Sequence, residues 1–332
     1  MLGYVVRRML WSVAVLLGAT VVTYVLFFLT PSDPERQRCG GITASPKCMR
    51  AVREQLGLNR PVYVQYGGFL KRLVLDRSLG RSFITKQSVN RLVWRAAPVT
   101  GSLVLGGLVV GLMIGLLVGI SSALRPRSLL DRAGILFVLI GVSAHPVWIG
   151  LIFSYFFGYK LRNFPIHTPI DGYADVFNPP PGKPGGVAQW AYHLVLPWMS
   201  FAILFAALYA RMIRATVIEV LDEDYVRTAR AKGASEGHVL RSHVIRNALL
   251  PVVTMLGMDI GLAVGGAIFI ENVYNLPGLG NTVLRAVTTY DLTLLQGVVM
   301  FGTLVIVALN LVVDLLYACI DPRIRLTATG SA

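Results

Sequence analysis

Long segments of mostly apolar residues constrain the fold of this chain more than any other feature. About 20 such residues cross the hydrocarbon core of a bilayer as a helix. We predict spans near 9–29, 99–124, 134–158, 195–217, 249–270 and 295–319. Hydrophobic residues make up 55% of the chain and charged residues 14%, against about 25% charged in soluble domains. The predicted fold class is therefore all-α, a polytopic membrane protein of about six spans.

The distribution of basic side chains predicts the orientation of these spans. Arg and Lys accumulate in the cytoplasmic loops of membrane proteins. With six spans, the basic segments fall on one side, so we expect both termini in the cytoplasm and the chain in the cell (inner or plasma) membrane. The net charge of +14 then reflects this bias and anionic headgroups rather than nucleic-acid binding, since no basic run alternates with stacking aromatics. These basic residues are Arg7, Arg8, Arg125, Arg127, Arg132, Arg323 and Arg325.

The segment 30–98 would lie outside the cell. Apolar residues at helical spacing on both sides of Asn59-Arg60-Pro61 predict two short amphipathic helices on the membrane surface, the second starting near Pro61. Cys39 and Cys48 lie in this segment and could pair in an oxidising compartment, or remain two unrelated thiols. The segment 159–194 contains NPPPGKPGG, which predicts a surface loop.

The stretch DEDYVRTARAKGASEGHVLRSHVIRNALLPVVT, residues 222–254, is polar and basic in an otherwise apolar chain. Its acidic start and basic end suit a short helix, Gly233 suits the left-handed turn after it, and Ser235 suits the start of a second helix. Pro251 is expected to open the following span. So short a unit must bury its apolar side against a partner or against the neighbouring span ends.

This stretch resembles the cytoplasmic "EAA" loop of ABC-transporter permeases, most closely in the dipeptide/oligopeptide branch of the binding-protein-dependent importers. Arg227-Thr228-Ala229 stand at the triplet and Gly233 at the glycine; the Glu and one Ala are replaced, and the stretch to Pro251 is longer than in the general pattern. Further similarities follow in family order: MLGYVVRRML, REQLGLNRPVYVQY, RSLGRSF, FIENVYNLPGLG and NLVVDLLYACIDPRIR.

The resemblance implies a permease domain at 99–320 with a coupling loop at 218–248, a preceding span at 1–29 and a cytoplasmic tail at 321–332. It implies as partners a homologous second permease, two ATP-binding cassette subunits, an extracytoplasmic substrate-binding protein and membrane lipid. ATP and magnesium would be used by the ATPase subunits, and this chain, which has no Walker A pattern, would be no enzyme and bind no cofactor. The residues expected to contact the ATPase are Tyr225, Arg227, Thr228, Ala229, Arg230, Lys232, Gly233, Ala234 and Ser235.

Several residues inside the predicted spans admit two interpretations. Asp259 could line the translocation path or form a structural hydrogen bond to a neighbouring helix. Gly257, Gly261 and Gly265 recur every fourth residue and favour close helix packing, within this chain or against the companion permease. Arg211 and Arg214 are expected to extend toward the membrane surface. His145-Pro146 predicts a kink, and the scattered histidines predict no metal site.

The cargo implied by the resemblance is a di- or oligopeptide, with nickel or another small solute as the alternative in the same branch. An ion-coupled secondary transporter would need paired intramembrane charges or repeated halves, and Asp259 is the clearest intramembrane charge in the sequence. A membrane scaffold would account for the spans but not for the charged loop.

Overall fold

The structure, a computed structural model, describes residues 2–29, 39, 45–56, 61–82, 84–161, 163, 168–176 and 185–320. Within these ranges the regular structure is helical, and β pairing is limited to an isolated bridge between Arg81 and Ser88. The all-α fold class is thereby confirmed. The chain forms two compact units, a first unit of Met1–Pro98 with Gly278–Ala332 and a second unit of Val99–Pro277.

The first unit contains the two terminal spans. Helix α1 (Leu2–Leu29) packs against the last helix, α12 (Leu292–Ile320), which follows the short helix α11 (Leu279–Thr288). Two short helices, α2 (Pro46–Leu56) and α3 (Val62–Val74), lie where the sequence predicts them, and Pro61 directly precedes α3. Asn59 and Arg60 are outside the described residues. The structure joins Cys39 to Cys48 in a disulfide, at a Cα–Cα distance of 5.9 Å.

A buried hydrogen bond links two sequence motifs within the first unit. The Ser82 hydroxyl of RSLGRSF donates to the Asp291 carboxylate, and Asp291 is only 1% exposed. Asp291 also accepts from the main-chain N–H of Leu294 at 3.1 Å, so it caps the first turn of α12. The residues between 80 and 89 are thereby attached to the start of the last span.

The second unit holds the remaining spans. Helix α4 (Val89–Leu124) starts in the first unit, about ten residues before the predicted span, and continues through Pro98. Helix α7 (Val187–Leu221) and helix α10 (Arg246–Val273) pack against each other and are also longer than predicted. In the described part of the chain, five helices are long and apolar enough to cross a membrane, and a sixth span results if one bent pair is counted as one.

The bent pair is the predicted third span. Helix α5 (Leu129–Ser143) and helix α6 (Pro146–Phe153, continued by a π-helical turn to Lys160) meet at 104°. The break falls at His145-Pro146, which confirms the predicted kink, although the bend far exceeds that of a proline-kinked helix. Pro146 has no main-chain N–H and so cannot continue the hydrogen bonds of α5. The His145 ring caps the new helix by accepting a hydrogen bond from the Val147 N–H at 3.3 Å. The chain therefore restarts a helix in a new direction.

The prediction that Pro251 opens a span is wrong. Pro251 lies inside α10, which begins at Arg246 and continues the π-helical turn Leu240–Ile245 and the short helix α9 (Glu236–Val239) without a break. Membrane helices tolerate proline where packing holds the surrounding turns. Here Ala248 and Val252, on either side of Pro251, are almost fully buried.

A glycine row on α4 allows α4 and α7 to approach closely. Gly111, Gly115 and Gly119 lie four residues apart, and a Cβ placed on Gly119 would be 2.9 Å from both the Ala210 carbonyl oxygen and the Ile213 Cβ. Such small-residue rows permit close backbone contact in membranes. The row predicted from the sequence, Gly257, Gly261 and Gly265, lies in α10 instead. There, a Cβ on Gly265 would meet nothing within 4 Å.

Candidate functional site

The polar loop between α7 and α10 is anchored by its apolar side chains. Its first helix, α8 (Asp224–Ala231), buries Val226 completely, and the following turns bury Val239 and Val244. These three valines belong to the same core as Val217 and Val220 of α7 and Ala248 of α10. Of the two partners considered for this surface, the structure uses the ends of the chain's own spans.

Gly233 forms the corner of the loop. Its φ is +80°, a left-handed conformation that favours glycine, and its N–H donates to the Arg230 carbonyl at 2.9 Å. The N–H of Ala234 donates to the Ala229 carbonyl at 3.2 Å. Across the corner, the guanidinium of Arg230 donates to both carboxylate oxygens of Glu236, at 2.9 and 3.2 Å. The corner is thus closed by main-chain and side-chain bonds.

The outer face of the loop is polar, basic and exposed. Arg227 is 67% exposed and lies 3.8 Å from the Asp224 carboxylate, a distance that indicates weak pairing. The Tyr225 hydroxyl accepts a hydrogen bond from the Asn247 amide at 2.9 Å. Ala229 and Ala234 are half-buried against the core. The remaining residues predicted to contact an ATPase are exposed: Tyr225, Thr228, Arg230, Lys232, Gly233 and Ser235.

A partly buried ion pair joins the helix that leads into this loop to α5. Arg214 of α7 donates to Asp131 of α5 through Nε at 2.7 Å and Nη2 at 3.0 Å, and Ser122 of α4 donates to the same carboxylate. The Asp131 side chain is 4% exposed. The extension of Arg214 toward the membrane surface stays a prediction, and the structure adds a buried carboxylate that binds its guanidinium. The ion pair of Asp131 was not predicted, because an aspartate in the first turn of a helix is common and does not by itself indicate burial.

Asp259, the predicted path residue, is hydrogen-bonded to a neighbouring helix. The Tyr209 hydroxyl of α7 donates to its carboxylate at 3.0 Å, and Tyr209 is fully buried. Asp259 itself is half-buried on α10. The structure thus contains a hydrogen bond to a neighbouring helix, which is one of the two interpretations of Asp259. A role in the translocation path stays a prediction.

Another buried acid, Glu271, lies near the end of α10. It is 0% exposed and accepts a hydrogen bond of 2.5 Å from the Thr100 hydroxyl of α4. Nearby, the Tyr274 hydroxyl bonds to the Ser200 hydroxyl at 2.8 Å and donates to the Gly150 carbonyl at 3.2 Å. Glu271 was not predicted, because a single carboxylate at a span end gives no sequence signal that distinguishes a buried position from an interfacial one.

The chain matches known protein families over nearly its whole length. The family "Binding-protein-dependent transport system inner membrane component" matches residues 111–326, and its N-terminal companion family matches residues 1–104. The chain belongs to this family. The loop that contains Gly233 lies inside the larger matched region.

Two relatives match this chain over nearly its whole length. A Brucella suis biovar 1 (strain 1330) protein, provisionally named a peptide permease, is 38% identical over 98% of this chain and 100% of its own length. The dipeptide transport system permease protein DppB of Alkalihalophilus pseudofirmus is 34% identical over 98% of this chain and 100% of its own length. A solved structure titled as an amino acid ABC transporter with histidines has a TM-score of 0.48 at 14% identity, over 70% of this chain and 94% of the solved chain.

The other residues and segments singled out in the sequence lie as follows. Gly257 is buried in α10, Gly261 is half-buried and Gly265 is exposed on the face that also carries Met258, Leu262 and Phe269. His, Cys, Asp and Glu side chains in the described part of the chain form no group of three or more that could hold a metal ion. The tail 321–332 and most of NPPPGKPGG lie outside the described residues.

Proposed function

We propose that this chain is a permease subunit of an ATP-driven importer of di- or oligopeptides. Family membership supports a transport role for the chain. The peptide cargo follows from the relatives, whose names refer to peptide and dipeptide transport and which match this chain over nearly its whole length. The observation that carries the coupling mechanism is the loop around Gly233, which is anchored on its apolar side and exposed on its basic side.

The loop at 218–248 acts as the coupling element. Val226, Val239 and Val244 are buried among residues of α7 and α10, so a force applied to the exposed face reaches both spans. An ATP-binding cassette subunit binds Arg227, Lys232 and the Gly233 corner from the cytoplasm. Binding and hydrolysis of ATP and magnesium in two such subunits favours one of two membrane conformations and drives alternating access.

The companion permease packs on the exposed face of α10. Met258 is 72% exposed, Leu262 64% and Phe269 51%, and Gly265 on the same face has open space above it. Small residues allow a second helix to approach closely. The translocation path then lies between the two permeases near Asp259. An extracytoplasmic binding protein delivers the peptide, and both termini of this chain lie in the cytoplasm.

Photo-crosslinking tests the coupling assignment. A photoreactive amino acid at Arg227 or Lys232 should crosslink this chain to an ATP-binding subunit in membranes, and the yield should change when a non-hydrolysable ATP analogue is added. The matched control is the same probe at Arg91, an exposed arginine of the first unit. Crosslinks from Arg91 but not from Arg227 or Lys232 would contradict the assignment.

Transport assays test the cargo. Proteoliposomes containing the assembly and its binding protein should accumulate a labelled dipeptide only when ATP is present inside, and excess unlabelled peptide should compete. Accumulation of nickel without competition by peptides would contradict the peptide assignment while leaving the coupling assignment intact.

A further inference from the structure

We propose that the first unit holds a binding site for one anionic phospholipid, in a cavity between α1, α3, α4 and α12. The cavity has a volume of about 680 Å³, within the range of small-molecule sites. Its walls are mainly aliphatic and aromatic side chains, among them Val13, Leu17, Leu73 and Leu304. Val13, Leu17 and Leu304 are each about half exposed, so the cavity opens toward the hydrocarbon core rather than toward water.

Two polar groups of the cavity, Arg77 and Asn90, lie near the start of α12. Leu79 and Asn90 line the cavity, and a Cβ on Gly297 would be 3.2 Å from the Leu79 Cβ. Leu304, at the apolar end, follows Gly297 by seven residues, which corresponds to about 10 Å along a helix. Since α12 begins just after Asp291, the polar end is nearer the membrane surface and the apolar end is deeper.

Aromatic and basic side chains mark the same level of the membrane. Trp94 lines the cavity, is 69% exposed and packs edge-on against Phe301 at a centroid distance of 5.8 Å. Arg91 and Arg95, on the same side of α4, are also exposed. Tryptophan and arginine are typical of the membrane interface. A ligand in the cavity therefore has its polar end at the depth of lipid headgroups.

Arg77 supplies the charge that selects the ligand. Three polar side chains line the cavity, and two are already engaged: Thr20 bonds to the Tyr66 hydroxyl at 2.7 Å, and the Asn90 amide bonds to the Leu79 N–H and the Arg77 carbonyl, each at 2.8 Å. The Arg77 guanidinium makes no ion pair or hydrogen bond with the described residues. An arginine binds phosphate through paired hydrogen bonds.

An apolar groove with one cation at headgroup depth fits a lipid better than it fits a helix. A helix of a companion subunit would fill the apolar walls but would leave the guanidinium without a counter-ion. A phospholipid places an acyl chain along Val13, Leu17 and Leu304 and its phosphate at Arg77. A headgroup with net negative charge gains more from this cation than a zwitterionic headgroup does.

Native mass spectrometry of the intact assembly tests the site. The assembly is purified from nanodiscs that contain equal amounts of phosphatidylglycerol and phosphatidylcholine, and the retained lipids are counted. We expect one phosphatidylglycerol retained in preference to phosphatidylcholine. Arg77→Gln should lower its retention roughly tenfold or more, the effect of one lost charge-assisted contact, while Arg211→Gln, at an exposed arginine of the second unit, should leave it unchanged. The substitution keeps the Asn90 contact, since that bond uses the main-chain carbonyl of Arg77.

A matched pair of valines tests the cavity itself. Val13 and Val15 are both 53% exposed on α1, but only Val13 belongs to the cavity lining. Val13→Trp should displace the lipid, and Val15→Trp should not. Equal retention of the two lipids, equal effects of Arg77→Gln and Arg211→Gln, or equal effects of the two tryptophans would overturn the proposal. Loss of a subunit from Val13→Trp with unchanged lipid retention would overturn it in favour of a protein occupant.

Discussion

Arg214 of α7 and Asp131 of α5 form a two-point ion pair, with Nε–Oδ1 at 2.7 Å and Nη2–Oδ2 at 3.0 Å. The pair lies seven residues before the end of α7 at Leu221, from which the polar loop continues. A planar guanidinium held by both carboxylate oxygens fixes the rotation of α7 relative to α5. The pair therefore positions the span from which the polar loop continues.

The first prediction concerns this pair. Arg214→Gln should lower thermal stability and remove most peptide uptake, because it leaves a buried carboxylate without its counter-ion. Arg211→Gln is the matched control, an exposed arginine three residues away on the same helix. Thermal unfolding in detergent and uptake into proteoliposomes measure the two effects. Equal behaviour of both variants would show that the ion pair does not position α7.

The second prediction concerns the glycine corner. Gly233→Val forces a β-branched residue into φ +80°, at a cost of about 1–2 kcal/mol or more, and should reduce peptide uptake severalfold while ATP hydrolysis continues. Gly237→Val is the control, since Gly237 also has open space around it but has no positive φ. The measured quantity is ATP hydrolysed per peptide transported. An unchanged ratio in Gly233→Val would count against the coupling role.

The third prediction separates the two interpretations of Asp259. Asp259→Asn removes the charge but keeps an acceptor for the Tyr209 hydroxyl, so it should lower uptake of peptides with a free cationic amino terminus and spare N-acetylated peptides. Tyr209→Phe removes the hydrogen bond and should cost about 1 kcal/mol of stability. It should change the uptake of both kinds of peptide equally. Competition assays with the two peptide sets measure the difference. If Asp259→Asn also changes the uptake of both peptide sets equally, the carboxylate has a structural role.

The fourth prediction concerns the glycine row of α4. Gly119→Ala places a Cβ 2.9 Å from the Ala210 carbonyl oxygen and should destabilise the chain by about 1–3 kcal/mol, as overpacking does. Gly101→Ala, on the same helix, meets nothing within 4 Å and should be neutral or slightly stabilising. Fluorescence-detected size-exclusion chromatography after heating compares them. Equal melting temperatures would show that α4 and α7 do not pack this closely.

The fifth prediction concerns the outer loop. Cys39 and Cys48 should resist a membrane-impermeant maleimide on whole cells until a reductant is added, because they are joined in a disulfide. Cys48→Ser should make Cys39 reactive without reductant. Labelling of the unreduced wild-type protein at either cysteine would contradict the pairing, and labelling only after cell lysis would place the loop in the cytoplasm.

Local sequence was sufficient wherever one segment decides its own conformation. The spans follow from apolar length, the break at His145-Pro146 from a missing donor, and the corner at Gly233 from backbone freedom. The start of α3 at Val62 follows from Pro61 in the same way. These features depend on residues within a few positions of one another, so periodicity and turn chemistry predict them.

Partner choice between distant residues was not predictable in the same way. Asp131 and Arg214, Thr100 and Glu271, and Ser82 and Asp291 are separated by 83, 171 and 209 residues, and nothing local marks either member as buried. Similarly, two glycine rows with the same spacing occur in α4 and α10, but an added Cβ meets close neighbours at Gly119 and open space at Gly265. Spacing permits close packing on a helix face; only the fold decides which face has a neighbour.

The sequence by itself determined that this chain is a helical membrane protein with a charged helical loop, because apolar length, charge and glycine placement act locally. The tertiary structure decided which carboxylates are buried, which arginine or hydroxyl group each one binds, and which side of the loop remains exposed. Those outcomes depend on the electrostatic and steric match between helices far apart in the chain, and that match exists only once the helices have packed.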